Sequence, residues 1–223
     1  MQPTIYIFDL GGVLINLNVS RCMHAFEELM GEENVRLILG MDSNGEGRRV
    51  SADEPPVNNV VAVSIATKQL MADFERGLIA TDEFINQVLR YCRPGTTEEQ
   101  VKEAWFAMLD DLPKERLEVV DKLRAQGHPV YLLSNGNDLH FDFINQTYGL
   151  SRHFDGLFLS QKMHLSKPEK AIFETVQNAI GGKGRNIIFI DDLEANRLAA
   201  EQYAGWQTFS SIDDFLKKKT SHL

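Results

Sequence analysis

Apolar residues in this chain follow two patterns, and their order predicts the architecture. Short unbroken runs rich in β-branched and aromatic residues read as strands buried on both faces, as in a parallel sheet covered by helices. Thr4-Ile5-Tyr6-Ile7-Phe8 stops at Asp9. Pro129-Val130-Tyr131-Leu132-Leu133 stops at Ser134-Asn135-Gly136, and Asn186-Ile187-Ile188-Phe189-Ile190 stops at Asp191-Asp192. Trp206-Gln207-Thr208-Phe209 is a shorter run of the same kind, and Gly156-Leu157-Phe158-Leu159 a weaker one.

Helical periodicity lies between these runs. Pro113 suits a first helical position, Leu117, Val120 and Leu123 recur on one face, and Gly127 supplies a stop before the Pro129 run. Pro168 is expected to open a second helix through Ile172, Phe173, Val176 and Ile180 to Gly181-Gly182, and Glu194 to Tyr203 a third, ending at Gly205. Strands alternating with helices from Pro113 onward predict an α/β fold, a Rossmann-like doubly wound parallel sheet.

From about Asn18 to Asp110 the alternation stops. Amphipathic patterns at Val19 to Met30, Val60 to Phe74, Thr81 to Tyr91 and Thr97 to Asp110 predict an all-helical insert, the last opened by a capping box, Thr97-x-x-Gln100. Asp42 to Asn59, with Gly45, Gly47, Pro55 and Pro56, reads as a long loop. The expected division is a core of residues 1–17 and 111–223 with residues 18–110 inserted into it.

The 223 residues are 43% hydrophobic and 25% charged, near globular averages, which argues against disorder and low-complexity architectures. Lys and Arg number 23 against 32 Asp and Glu, a net charge of −9. That is the wrong sign for coating nucleic acid or an anionic membrane, so no nucleic-acid or membrane partner is expected, and an anionic ligand needs a local positive site. Cys22 and Cys92 make no zinc-type pair and point to a reducing compartment. The first residues lack a basic leader, and the richest apolar run, Val60 to Ala66, is too short to span a bilayer. The reading is a cytoplasmic protein, a monomer or weak homodimer.

Ligands of open α/β sheets bind beyond the carboxyl ends of the strands, so Asp9, Ser134 and the pair Asp191-Asp192 are expected in one cleft. A lone aspartate at a strand end is more often a turn or cap residue. Several carboxylates brought together there repel each other and lose water unless a cation neutralises them, and oxygen donors of this kind suit Mg²⁺.

Asp9-Leu10-Gly11-Gly12-Val13-Leu14, Ser134-Asn135, Lys167-Pro168 and Ile190-Asp191-Asp192 with Asn196 downstream resemble, in order, the four motifs of the haloacid dehalogenase superfamily. The resemblance covers the chain. Its helical insert is similar to that superfamily's cap, and the Asp-x-Gly-x-Val form resembles the glucose-1-phosphatase-like subgroup of sugar-phosphate phosphatases. The resemblance implies Asp9 as nucleophile, forming an aspartyl-phosphate. It implies Mg²⁺ held by Asp9, Asp192 and the carbonyl of Gly11, with Asp191 a second ligand or an orienter. Ser134 and Lys167 would contact the phosphoryl oxygens, and the backbone amides of Gly11, Gly12 and Asn135 would help to cradle them.

One departure matters. Such phosphatases usually carry a second aspartate two residues after the nucleophile, as general acid for the leaving group, and here that position is Gly11. General acid catalysis is typically worth ~10² to 10⁴ in rate. The gap leaves open an activated leaving group such as an anomeric or acyl phosphate, an acid brought by the cap, or lost catalysis. His24 and His164 are the candidate replacement acids, although each reads more simply as a helix-surface and a loop residue, and Arg48-Arg49 could reach a substrate but reads more simply as a solvated pair. The expected function is Mg²⁺-dependent hydrolysis of a small phosphorylated metabolite, a sugar phosphate first. The alternatives are a metal-independent 2-haloacid dehalogenase, against which the second carboxylate Asp192 stands, and a non-catalytic phosphometabolite-binding protein.

Overall fold

The computed structural model describes residues 2–32, 34–35 and 69–220. The loop expected at 42–59, Arg48-Arg49 within it, and the first part of the helix expected from Val60 lie outside the described residues. The chain divides into two compact units, Met1–Asn16 with Asp111–Leu223, and Leu17–Asp110.

The first unit is built on five strands, β1 (Ile5–Phe8), β2 (Val130–Ser134), β3 (Gly156–Leu159), β4 (Ile187–Ile190) and β5 (Gln207–Phe209). They form one sheet in the order β3-β2-β1-β4-β5, and all four pairings are parallel. The continuous apolar runs are explained by burial on both faces. On one face Ile5 and Ile7 pack in a cluster with Leu133, Phe173, Phe189 and Trp206; Tyr6 meets His128 and Phe215 edge-on. At roughly 25 cal/mol per Å² of apolar surface, burying each such side chain contributes about 1.5–3 kcal/mol.

Helices α4 (Lys114–Ala125), α5 (Asp138–Tyr148), α6 (Ser160–Met163), α7 (Lys170–Ala179), α8 (Glu194–Ala204) and α9 (Ile212–Thr220) belong to this unit. Three ends differ from the sequence reading. Pro113 is the N-cap of α4 and not its first residue, because its ψ of 125° is extended. Pro168 lies in a turn, and α7 starts only after Glu169, whose ψ of 139° is likewise extended. Trp206 precedes β5, buried in the core with its indole N–H donating to Gln177 Oε1 at 2.8 Å. Helix α8 stops where Gly205 takes a left-handed conformation, φ 67°.

The second unit contains α1 (Val19–Met30), a helical stretch at 69–75, α2 (Thr81–Leu89) and α3 (Glu98–Phe106). Phe74 stacks on Phe84 at 3.9 Å between ring centroids, and Phe26 and Phe84 meet Trp105 edge-on. The capping box read from Thr97 and Gln100 is formed in full. Arg21 ties the unit's two ends together, donating to the carbonyls of Ala107 at 2.7 Å and Leu109 at 2.6 Å. Among the described residues, no helix is long and apolar enough to cross a membrane.

Candidate functional site

Parallel pairing aligns the carboxyl ends of β1, β2 and β4, so the residues just beyond them share one edge of the sheet. Asp9 follows β1, its N–H donating to the Ile190 carbonyl at 2.8 Å, and Asp191 follows β4, its N–H donating to the Phe209 carbonyl at 3.1 Å. Ser134 closes β2. Asp9, Ser134 and Asp191 are all buried, as is Lys167 in the turn before α7.

The Lys167 ammonium unites the group. It lies 3.0 Å from Asp9 Oδ1, 2.6 Å from Asp191 Oδ2 and 3.0 Å from the Leu133 carbonyl, so each of its three protons has an acceptor. Burial alone would lower its pKa, but the carboxylates of Asp9 and Asp191 outweigh that and raise it, which keeps the charge in place. The sequence-expected local positive site in this acidic chain is therefore present, and its side chain has no solvent exposure.

The carboxylates are not equivalent. Asp191 accepts from the Leu193 N–H at 2.9 Å and from Asn196 Nδ2 at 3.0 and 3.1 Å besides holding Lys167, so both its oxygens are engaged. That arrangement suits an orienter of the lysine. Asp9 keeps one oxygen, Oδ1, on Lys167 and the Leu10 N–H. Burial pushes the Asp9 carboxyl up to about 7; Lys167 pulls it back down, and the neighbouring Asp191 charge adds to the rise. Asp192 is the accessible member, and burial and Asp191 raise its pKa too.

Carboxylate oxygens of Asp9, Asp191 and Asp192 lie within 4.8 Å of one another. Three acidic groups against one ammonium is a charge imbalance, and the Asp191 charge adds to the burial that already holds the Asp9 and Asp192 carboxyls up. A hard divalent cation with oxygen ligands relieves it, so the residues fit Mg²⁺.

The glycines divide their tasks in a way the sequence reading did not anticipate. The left-handed conformation in the turn after Asp9 belongs to Gly12, φ 69°, and a Cβ there would crowd the Asp192 carboxylate. The backbone conformation favours glycine at 12. The Gly12 N–H donates to the Ile15 carbonyl at 2.9 Å, so this amide is not offered to a ligand as the sequence reading expected. Asn135 differs as well, because its side chain, and not only its amide, takes part: Nδ2 donates to the Lys167 carbonyl at 2.8 Å and Oδ1 accepts from the Lys167 N–H at 2.9 Å.

Two supporting side chains were missed from sequence. Arg197 donates to the carbonyls of Asp191 at 2.8 Å and Asp192 at 2.7 Å, and Ser160, fully buried after β3, accepts from the Gly136 N–H at 3.0 Å. A serine directly after an apolar strand was the only signal for the second. His24 is exposed and bonded to Glu27 of its own helix at 3.0 Å, and His164 ends α6 in a left-handed conformation, φ 56°.

Comparison with known proteins agrees with this geometry. A family model described as haloacid dehalogenase-like hydrolase matches residues 3–203. A D-ribitol-5-phosphate phosphatase of Bacteroides thetaiotaomicron is 24% identical over 210 residues, which is 91% of this chain and 89% of that protein. A solved haloacid dehalogenase family enzyme from the same organism, in complex with magnesium and inorganic phosphate, is 28% identical, covers 94% of both chains and superposes with a TM-score of 0.74. A chain from Porphyromonas gingivalis, described as a predicted haloacid dehalogenase-like family hydrolase, is 25% identical over 99% of this chain and 98% of its own, also with a TM-score of 0.74.

Proposed function

The chain belongs to the haloacid dehalogenase-like hydrolase family, and we propose that its reaction passes a phosphoryl group from a small sugar or polyol phosphate to Asp9 and then to water. It is a phosphoric monoester hydrolase that uses Mg²⁺. The observation that carries the assignment of Asp9 is the buried lysine bonded to both Asp9 and Asp191, with Asp192 beside them. A similar chain that hydrolyses D-ribitol 5-phosphate supports the substrate class.

In the first step an Asp9 carboxylate oxygen attacks phosphorus and the bond from phosphorus to the ester oxygen breaks, that oxygen keeping the bonding electrons and taking its proton from water. In the second, water attacks phosphorus of the aspartyl-phosphate, gives up a proton, and Asp9 is regenerated with free phosphate. Lys167 holds Asp9 in line and meets the charge on the phosphoryl oxygens, and the Ser134 hydroxyl donates to one of them. Asp191 positions Lys167. Asp9 and Asp192, with the Gly11 carbonyl, would hold Mg²⁺, which when bound screens the nucleophile from the phosphate it approaches. Residues 18–110 are the family's helical cap, inserted into a catalytic core of 1–17 and 111–223. A metal-free 2-haloacid dehalogenase is the weaker reading, since its carboxylate substrate would meet Asp192 unneutralised.

Gly11 leaves the leaving group without an acid two residues from the nucleophile. Rates should therefore fall steeply as leaving-group pKa rises, and an anomeric sugar phosphate should outrun its 6-phosphate isomer. The test is phosphate release from a panel of aryl, sugar and polyol phosphates, each with Mg²⁺ and with excess chelator. Equal rates in chelator would overturn the metal's role, release from no ester would overturn the phosphatase reading, and a flat leaving-group series would show that protonation does not limit the rate.

A further inference from the structure

We infer that the Asn135 side chain is a positioning residue for Lys167, locking the lysine to the strand end that carries Ser134. The inference rests on the proposed reaction and assigns Asn135 a part beyond its backbone amide. Its two bonds to the Lys167 backbone, 2.8 Å to the carbonyl and 2.9 Å from the N–H, form a closed pair of the kind one strand offers another. Lys167 has no such neighbour otherwise, because it lies in the turn before α7, outside the sheet. Its far end is held from the same strand, the ammonium bonding the Leu133 carbonyl at 3.0 Å. Residues 133 and 135 thus grip Lys167 at its tip and its backbone, and Ser134 lies between them.

The consequence is geometric. Ser134 and Lys167 are 33 positions apart in sequence, one at the end of β2 and one in the turn before α7, yet both must address one phosphoryl group. The asparagine makes the β2 end and the turn before α7 a single frame, so the Lys167 backbone cannot shift away from Ser134 without breaking two further bonds. Displacements near 1 Å at a reacting centre cost roughly 10²-fold in rate, which gives such a frame a function. Ser160 braces the same β2 end from the other side, through two bonds with the Gly136 backbone. It is the natural control.

The experiment measures kcat and KM for Asn135→Ala, Ser160→Ala, Lys167→Met and the double variant Asn135→Ala/Lys167→Met, using an aryl phosphate with Mg²⁺. Loss of an outer-shell partner typically costs about 10- to 100-fold, so Asn135→Ala should lose that much, chiefly in kcat, and Ser160→Ala less. In the Lys167→Met background Asn135→Ala should cost no more than about twofold, since the two changes remove one coupled arrangement. Should Lys167→Met not fold, Lys167→Arg replaces it, the longer side chain being unable to keep the same three acceptors. Hydrogen exchange gives an independent readout: the Lys167 amide should lose protection in Asn135→Ala while the β2 ladder amides keep theirs. Equal losses in Asn135→Ala and Ser160→Ala, full additivity with Lys167→Met, or unchanged Lys167 exchange would each overturn the inference. A wild-type protein that releases no phosphate from any ester would instead overturn the reaction itself, and the positioning role with it.

Discussion

The two ends of the sheet carry the same kind of bond in opposite surroundings. At the amino ends of β2 and β3, Arg124 meets Asp155 at 2.9 Å with the two side chains 35% and 36% exposed. At the carboxyl ends, Lys167 meets Asp191 at 2.6 Å with neither side chain exposed. Water screens the first pair, so it contributes little; exposed pairs are typically worth about 0.2–1 kcal/mol. The buried set has given up its hydration and must be compensated within the protein, which is why every Lys167 proton and both Asp191 oxygens find partners. Residues arranged at that cost are poor stabilisers and good reagents. The position of the ionic groups relative to water, more than their number, separates the structural end of this sheet from its chemical end.

If this contrast holds, the largest effect comes from removing the shared cation. Lys167→Met leaves two buried carboxyls facing each other and should cost about 3–5 kcal/mol of stability in the metal-free protein, read from urea midpoints, besides most of the activity. A loss under about 1 kcal/mol would place Lys167 with the surface pairs.

A smaller effect is expected from pH. The Asp9 carboxyl is raised from 3.8 to about 7 in the folded protein. Between those values the folded chain holds a proton that the unfolded chain has released, so this group's contribution to stability falls as pH rises. In chelator, wild type should lose stability relative to Asp9→Asn from about pH 5 to about 7, and Mg²⁺ should restore most at the upper end. A parallel pH dependence in the two proteins would contradict the burial argument.

The smallest effect belongs to the exposed end. Arg124→Gln should cost about 0.2–1 kcal/mol, less at high salt, and leave kcat unchanged.

The strands and the residues at their ends were legible in the sequence because both faces of each central strand are buried, which makes the run continuous, and because the run must end where a ligand-facing turn begins. Helix α5 was not legible. Ile144 is its one fully buried residue, and Phe143 stays 40% exposed, so the apolar face that would have announced it is almost missing. The start of α7 was misplaced for a different reason, since a proline fixes its own φ and carries no information on the extended ψ of Glu169 that delays the helix. Within the site, the motif residues Asp9, Ser134, Lys167 and Asp192 could be picked out individually. The links between them could not, because the bonds of Asn135 to Lys167 and of Asp191 to Lys167 and Asn196 join segments brought together only by the sheet order.

Everything in the proposed reaction turns on Asp9 receiving the phosphoryl group. Mixing the wild-type protein with a fast aryl phosphate and Mg²⁺, quenching in acid within one turnover, and mapping peptides by mass locates that group. One phosphoryl group is expected on the peptide containing Asp9, absent from Asp9→Asn, with that variant folded and inactive. An active wild type whose label sits on another residue, or an Asp9→Asn protein that turns over as fast as wild type, would contradict it.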